Sequence, residues 1–371
     1  MISETDTADS VTLRVLVVDD SLLYRKMIQD VLDTFPGVEV VGSAPDGQVA
    51  LLKARSLKPD VITLDIEMPE MDGLEVLEHL KAEQPETTAI VCSMFTTEGA
   101  RITLRALELG AFDFIPKPAS GTLDDNRALF RSAIAPMLDA LMRLKTTRQT
   151  VVAPLSKISG MERTILEGLS PILKSPHEKS MAVAIGISTG GPVALAKMMP
   201  EIPANIGVPL FIVQHMPPMF TGALAAKLNS VSQITVKEAA DGEIVCPNTA
   251  YIAPGGKQMK VASVSGANHS VVIRITDDAP ENNCKPSADY LFRSVSGCYG
   301  RRATGVIMTG MGYDGSEGLK LMKERGAFII AQNEATSAIY GMPRKPIEMG
   351  IVDVIAPLEA IAAEIIRTVF A

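Results

Sequence analysis

Met181-Ala182-Val183-Ala184-Ile185-Gly186-Ile187-Ser188-Thr189-Gly190-Gly191-Pro192-Val193-Ala194-Leu195 runs from an apolar stretch through a glycine-rich turn into the start of a helix. The apolar stretch is short enough to read as a buried strand, and Pro192 stands where the first helical turn tolerates proline. Ser188 therefore sits at a strand-to-helix turn. Glycines allow a sharp backbone there, and the free N–H groups of a helix start can face a developing negative charge, which suits a nucleophile. The same kind of turn cradles phosphates in other α/β folds, so on its own it does not separate the two uses.

Outward from this stretch the same alternation continues. Strands are expected at 181–187, 210–214, 305–309 and 327–331, with helices near 192–199, 221–229, 288–295, 316–325 and 358–369. Residues 249–276 read as antiparallel, with Lys257–Val264 and Ser270–Thr276 flanking the turn Gly266-Ala267-Asn268-His269. The first half repeats the order. Thr12–Val18 is an apolar strand ending in Asp19-Asp20-Ser21, Val38–Val41 precedes a helix through Gln48–Arg55, Val61–Leu64 ends in Asp65, and Ala89–Val91 ends in Cys92-Ser93. A helical pattern from Ala128 to Leu144 closes that half. The fold class is therefore α/β: an N-terminal doubly wound parallel sheet, then a C-terminal doubly wound α/β domain decorated by an antiparallel hairpin. Boundaries are expected at 1–145 and 181–371, joined by a polar, Lys/Ser/Pro-bearing linker, 146–180, with a short helix near Glu162 to Leu169.

Composition narrows the function. The 371 residues suffice for two cores, and 47% hydrophobic with 21% charged residues is an ordinary globular balance. A net charge of −8 argues against nucleic-acid binding, which needs a basic face. No apolar run is long enough to cross a bilayer and the start is polar and acidic, so a cytoplasmic, non-inserted protein is expected. Cys92, Cys246, Cys284 and Cys298 show no metal-ligand spacing and read as free thiols.

Sites in doubly wound sheets gather at the carboxyl ends of strands. In the first half that edge brings Asp19, Asp20 and Asp65 together, an oxygen-only set suited to a hard cation such as Mg2+. Taken singly, Asp19 and Asp20 also read as helix N-caps and Asp65 as a turn residue before Pro69. In the second half a serine nucleophile needs a base, and among four histidines His215 ends the strand Phe211-Ile212-Val213 on the edge where Ser188 lies. Val306-Ile307-Met308 leads to Asp314, the carboxylate able to orient that histidine, with capping of the helix near Ser316 as its other reading. Gly186-Ile187-Ser188-Thr189-Gly190 also fits the α/β-hydrolase G-x-S-x-G pattern. Those enzymes run serine, acid, histidine, whereas the order here is Ser188, His215, Asp314.

Asp19-Asp20, Leu64-Asp65-Ile66-Glu67-Met68-Pro69, Met71-Asp72-Gly73, Ser93 and Gly110 to Pro118 resemble a response-regulator receiver domain. The resemblance implies that Asp65 accepts a phosphoryl group, Asp19, Asp20 and Asp65 hold Mg2+, and Lys117 and Ser93 meet the phosphate. It also implies that Phe114 is the aromatic switch residue. Ser188-Thr189-Gly190-Gly191, Gln214-His215-Met216-Pro217, Ala253-Pro254-Gly255, Pro286-Ser287-Ala288-Asp289 and Thr309 to Gly315 resemble the catalytic domain of chemotaxis-type protein-glutamate methylesterases. That likeness implies a Ser188, His215, Asp314 triad, an oxyanion hole from the main-chain N–H groups of Thr189 and Met311, and no cofactor in the esterase site. It further implies glutamine deamidation, methylated chemoreceptor helices as substrate, and a sensor histidine kinase as phosphoryl donor. Two rival readings are a transcriptional regulator, which lacks its basic helix-turn-helix here, and a receiver-regulated binding module without catalysis.

Overall fold

In the computed structural model, residues 12–94, 96–117, 122–151, 178–264 and 270–370 are described. The expected linker helix near Glu162, the hairpin turn and His269 lie outside them. The chain divides into two compact units, and the two main sheets are taken separately.

The N-terminal sheet and its helices run β1 (Leu13–Val18), α1 (Leu22–Leu32), β2 (Val38–Ala44), α2 (Gly47–Leu57), β3 (Val61–Asp65), α3 (Gly73–Glu83), β4 (Thr88–Met94), α4 (Thr97–Leu109), β5 (Asp113–Lys117) and α5 (Leu123–Val151). Strand order is β2-β1-β3-β4-β5. β1 pairs parallel with β2 and β3, and β3 with β4. β3 is buried at every position, as expected of a strand covered on both faces by helices. The order reverses between β1 and β3, so Asp19 and Asp65 emerge at the switch-point crevice where such sheets bind ligands. Helix starts are fixed by side-chain caps: Ser21 for α1, Asp46 for α2, Thr96 for α4, and a capping box of Asp72 with Glu75 for α3. Because Ser21 caps α1, Asp19 and Asp20 are not its caps.

The second sheet follows: β6 (Ala182–Ile187), α6 (Gly191–Met198), β7 (Leu210–Gln214), α7 (Phe220–Val231), β8 (Thr235–Glu238), β9 (Thr249–Ile252), β10 (Gln258–Ser263), β11 (Val271–Thr276), α8 (Ala288–Tyr299), β12 (Ala303–Ile307), α9 (Ser316–Glu324), β13 (Phe328–Gln332), α10 (Arg344–Glu348), β14 (Val354–Ala356) and α11 (Leu358–Phe370). The seven strands run β14-β13-β12-β6-β7-β9-β8, with β6 at the centre. Its pairings with β7 and β12 are parallel. β10 and β11 form the antiparallel hairpin, in register from Gln258↔Thr276 to Ser263↔Val271.

Two expectations are corrected. β9 is not part of the antiparallel segment: it pairs parallel with β7 and β8, and all four of its residues are buried, which suits an interior strand better than a half-exposed hairpin. β12 begins at Ala303 rather than 305, so Met308 and Thr309 already belong to the loop. β8, β14 and α10 carry too few residues to show a period, and the sequence pattern did not single them out.

The core of this sheet joins Phe211, Tyr251, Phe292, Leu291, Leu319 and Met322, with Phe211 and Tyr251 stacked at 5.9 Å between centroids. Each such side chain contributes about 1.5–3 kcal/mol by leaving water. Gly186 lets α8 approach the end of β6: a Cβ there would lie 2.9 Å from Ala288 Cβ and 3.1 Å from Phe292. That close approach brings the start of α8 to the strand edge carrying Ser188.

Candidate active site

Three strand ends meet at one edge. Ile187 is the register partner of Gln214, and Gly186 that of Ile307, so Ser188, His215 and the loop after β12 leave neighbouring strands at the same level. Main-chain bonds continue the ladder past the strands: Ser188 N–H donates to Thr309 O at 3.0 Å and His215 N–H to Ile187 O at 3.1 Å. The buried Gln214 amide donates to Ser188 O at 3.0 Å and His215 O at 3.3 Å, tying both turns together. Gly190, at φ 77°, supplies the left-handed step into α6, where a side chain would collide with Ala338.

His215 Nε2 lies 2.8 Å from Asp314 Oδ2. Asp314 is 2% exposed and accepts four further hydrogen bonds: Ser287 Oγ at 2.7 Å, Asn282 Nδ2 at 3.0 Å, Ala288 N at 2.6 Å and Asp289 N at 3.4 Å. Ala288 and Asp289 open α8, so Asp314 caps a helix, but α8 rather than α9. The N-cap of α9 is Gly315, which makes no side-chain bond, and Asp289 Oδ1 instead accepts from Gly318 N in its first turn at 2.6 Å. Two buried carboxylates thus each serve the other helix's start, where N–H groups and the helix dipole favour negative charge.

These contacts set the charges. Burial pushes the Asp314 carboxyl up, but bonds from His215, Asn282 and Ser287 outweigh it and hold the pKa at about 2. Burial pulls His215 down, and the Asp314 bond with a smaller contribution from Cys284 reverses this, raising it to about 9. A carboxylate on Nε2 selects the tautomer with its proton there, leaving Nδ1 as the basic nitrogen. Nδ1 faces Cys284 Sγ at 3.7 Å.

Ser188 is half-buried. Gly310 allows its approach, since a Cβ at Gly310 would lie 2.7 Å from Ser188 Cβ. Thr309 braces the same turn by donating its hydroxyl to Thr189 O at 3.0 Å while its N–H meets Gln332 Oε1 at 2.8 Å. The main-chain N–H groups of Thr189 and Met311 donate to no protein acceptor among the described residues.

In the N-terminal sheet Asp19 and Asp65 are buried and Asp20 is exposed, with carboxylate oxygens of all three within 4.8 Å of one another. Lys117 Nζ lies 2.7 Å from Asp19 Oδ2 and 2.6 Å from Asp65 Oδ2, and 5.0 Å from the Tyr24 ring centroid. Burial pulls the Lys117 ammonium down, yet Asp65 and Asp19 hold it above its ordinary value. Burial raises Asp65 to about 6, with Lys117 opposing and Asp19 adding to the rise. An all-carboxylate set in which Lys117 pairs with Asp19 and Asp65 still carries excess negative charge among the described residues and fits Mg2+. Ser93 is buried and donates to Gly99 O at 3.1 Å, Thr96 is occupied as the cap of α4, and Phe114 is buried.

Sequence reasoning did not single out Asn282 or Cys284. It quoted Ser287 and Asp289 only within a motif. The available signal was Asn282-Asn283, both with positive φ, a pair that turns the chain immediately before α8.

Comparison with known proteins identifies the family. Residues 183–365 match the family model of CheB methylesterase, and residues 15–125 that of the response regulator receiver domain. A protein-glutamate methylesterase/protein-glutamine glutaminase of Desulfotalea psychrophila is 50% identical over 361 residues, 96% of this chain and 98% of the relative. The protein of the same name from Archaeoglobus fulgidus is 43% identical over 355 residues, 96% of this chain and 97% of its own. The crystal structure of the Thermotoga maritima CheB methylesterase catalytic domain is 38% identical, covers 51% of this chain and 98% of its own, and has a TM-score of 0.49. The chain belongs to the CheB methylesterase family and carries a response-regulator receiver on its N-terminal side.

Proposed function

We propose that this chain is a phosphorylation-activated serine hydrolase that demethylates glutamate methyl esters on chemoreceptors and deamidates specific receptor glutamines. The observation that carries the reading is the contact between half-buried His215 and buried Asp314 on the strand edge from which Ser188 emerges. Ser188 Oγ attacks the ester carbonyl carbon and its proton passes to His215 Nδ1. The negative charge that develops on the carbonyl oxygen is met by the N–H groups of Thr189 and Met311. As the C–OCH3 bond breaks, His215 returns the proton to methoxide and methanol leaves. Water, deprotonated by the same nitrogen, then attacks the acyl-serine, and as the bond to Ser188 Oγ breaks His215 returns the proton to that oxygen, giving glutamate and free Ser188. With a glutamine substrate the leaving group is ammonia and the remaining steps are unchanged.

Asp65 is the phosphoryl acceptor in this reading. Asp19, Asp20 and Asp65 would hold Mg2+, which neutralises charge on the transferred group. Lys117 pairs with the phosphoryl oxygens, Ser93 supplies the hydroxyl that reads them, and Phe114 responds to that contact. The domain limits fall at 1–145 and 181–371 about a linker. Partners are methylated receptor helices and a sensor histidine kinase in the cytoplasm, and among the described residues no helix is long and apolar enough to cross a membrane. Methanol release from methylated receptor membranes tests the assignment: Ser188→Ala should abolish it, and release at the unsubstituted rate would refute the serine's role.

A further inference from the structure

Cys284 and His215 are 69 positions apart, so no sequence spacing announces them as a pair, yet Sγ stands 3.7 Å from Nδ1. For a tetrahedral zinc ion, Zn–S of about 2.3 Å and Zn–N of about 2.1 Å place the two ligand atoms ~3.6 Å apart. The observed separation matches that bite. Behind the ring, Asp314 Oδ2 holds Nε2–H at 2.8 Å, the carboxylate-histidine arrangement that fixes ring orientation and strengthens the other nitrogen as a ligand. Donor atoms of Cys284, His215 and Asp314 lie within 4.8 Å of one another. Asp314 holds the ring rather than the metal, since it sits on the far nitrogen and already accepts from Ser287, Asn282 and α8. Cys284 is half-buried, which leaves solvent a route to the pair.

We propose that Cys284 Sγ and His215 Nδ1 form an inhibitory site for a thiophilic divalent cation of the zinc class, with water completing the shell. Thiolate and imidazole select zinc over magnesium, whereas the Asp19, Asp20 and Asp65 set has the opposite preference, so the two ions sort to different sheets. On binding, the Cys284 S–H proton and any proton carried by His215 Nδ1 are released to solvent, and the Nδ1 lone pair is donated to the metal. That lone pair is the one that accepts the Ser188 proton, so a zinc-loaded protein cannot start the acylation step. The inhibition, unlike the binding, rests on the triad reading above.

Two measurements separate these parts. Cobalt(II) titrated into the full-length, reduced protein should produce thiolate-to-cobalt charge-transfer absorption that Cys284→Ser abolishes and Cys246→Ser, at an exposed thiol, preserves. Zinc should then lower methanol release by about tenfold or more, because a coordinated nitrogen cannot serve as the base. Loss of a ligand costs more than the about 10–100-fold typical of losing a group that hydrogen-bonds a ligand, so Cys284→Ser should move the inhibitory zinc concentration by at least about 100-fold. Each protein is compared with itself, with and without zinc, so any effect of the substitution on the basal rate cancels. Absence of the charge-transfer band, or its persistence in Cys284→Ser, overturns the site. A band that depends on Cys284, together with undiminished hydrolysis at saturating zinc, keeps the metal site and refutes His215 as the base.

Discussion

Replacing Asp314 with asparagine tests the site most directly, because it removes one charge while leaving the side chain almost the same size. Burial alone would lower His215 below its ordinary 6.5, and the contact with Asp314 is the largest influence raising it to about 9. The difference of 2.5 units corresponds to about 3 kcal/mol at 1.36 kcal/mol per unit. Since the folded pKa lies above the unfolded one, this stabilisation is fully present below pH 6.5 and disappears as pH rises through 9. The lowered Asp314 pKa reports the same interaction and is not added. Asparagine introduces a second, pH-independent cost. Every neighbour of the carboxylate is a donor, so either placement of the new NH2 sets donor against donor, at Ala288 N and His215 Nε2 or at Asp289 N and Asn282 Nδ2. A buried donor left unmatched costs about 1–3 kcal/mol. Urea unfolding of both proteins between pH 6 and pH 10 should show a stability gap that narrows by about 3 kcal/mol across the range without closing. Methanol release should fall by about 10²–10⁴-fold, with the residual activity appearing at lower pH because the imidazole is no longer held protonated. A gap that does not change with pH, or activity within about tenfold of the unsubstituted protein, would refute the pairing as described.

Activity of the unsubstituted protein should rise toward alkaline pH as His215, raised to about 9, gives up its proton, and a kcat/KM profile that falls from pH 7 to 9 would contradict this. Ser287→Ala removes a hydroxyl bond to Asp314 at 2.7 Å and the N-cap of α8, so stability should drop by about 2–4 kcal/mol in urea unfolding. Ser287→Thr, which keeps the hydroxyl, should recover most of the loss. Asp65→Asn should eliminate the rise in methanol release that a small-molecule phosphoryl donor with Mg2+ produces, checked by comparing the two proteins with and without donor. Lys117→Ala exposes Asp19 and Asp65 to each other without their shared cation, and Mg2+ should then raise the thermal midpoint more than it does in the unsubstituted protein.

Long alternating patterns were legible in the sequence because strands buried on both faces and helices with one apolar face leave periods that survive without knowledge of neighbours. β6, β7 and α9 fall within a residue or two of expectation for that reason. β8 and β14 did not, since four or three residues hold no period. β9 was misassigned because a buried parallel strand and one arm of a hairpin look alike until the partner is known.

The site divides along the same line. Ser188, His215, Asp19 and Asp65 were legible because each ends a strand, and in a parallel sheet all strand ends share an edge. Asp314 was legible as a strand-end residue, but its contacts were not: its expected helix was α9, and the one it caps is α8. That exchange depends on α8 and α9 packing side by side, with Asp314 at Ala288 N and Asp289 at Gly318 N. The contacts of Asn282, Cys284 and Ser287 are legible only in three dimensions, because these residues lie on the turn into α8 and reach Asp314 and His215 from there. The consequence is physical. The negative charge that keeps His215 basic is held by the start of a helix, so a change that loosens the first turn of α8 should alter the pH dependence of the site without touching Ser188, His215 or Asp314. The pH profiles of Ser287→Ala and Ser287→Thr read that coupling directly: a shift in the first that the second restores places the control in α8, and identical profiles place it in the His215–Asp314 contact alone.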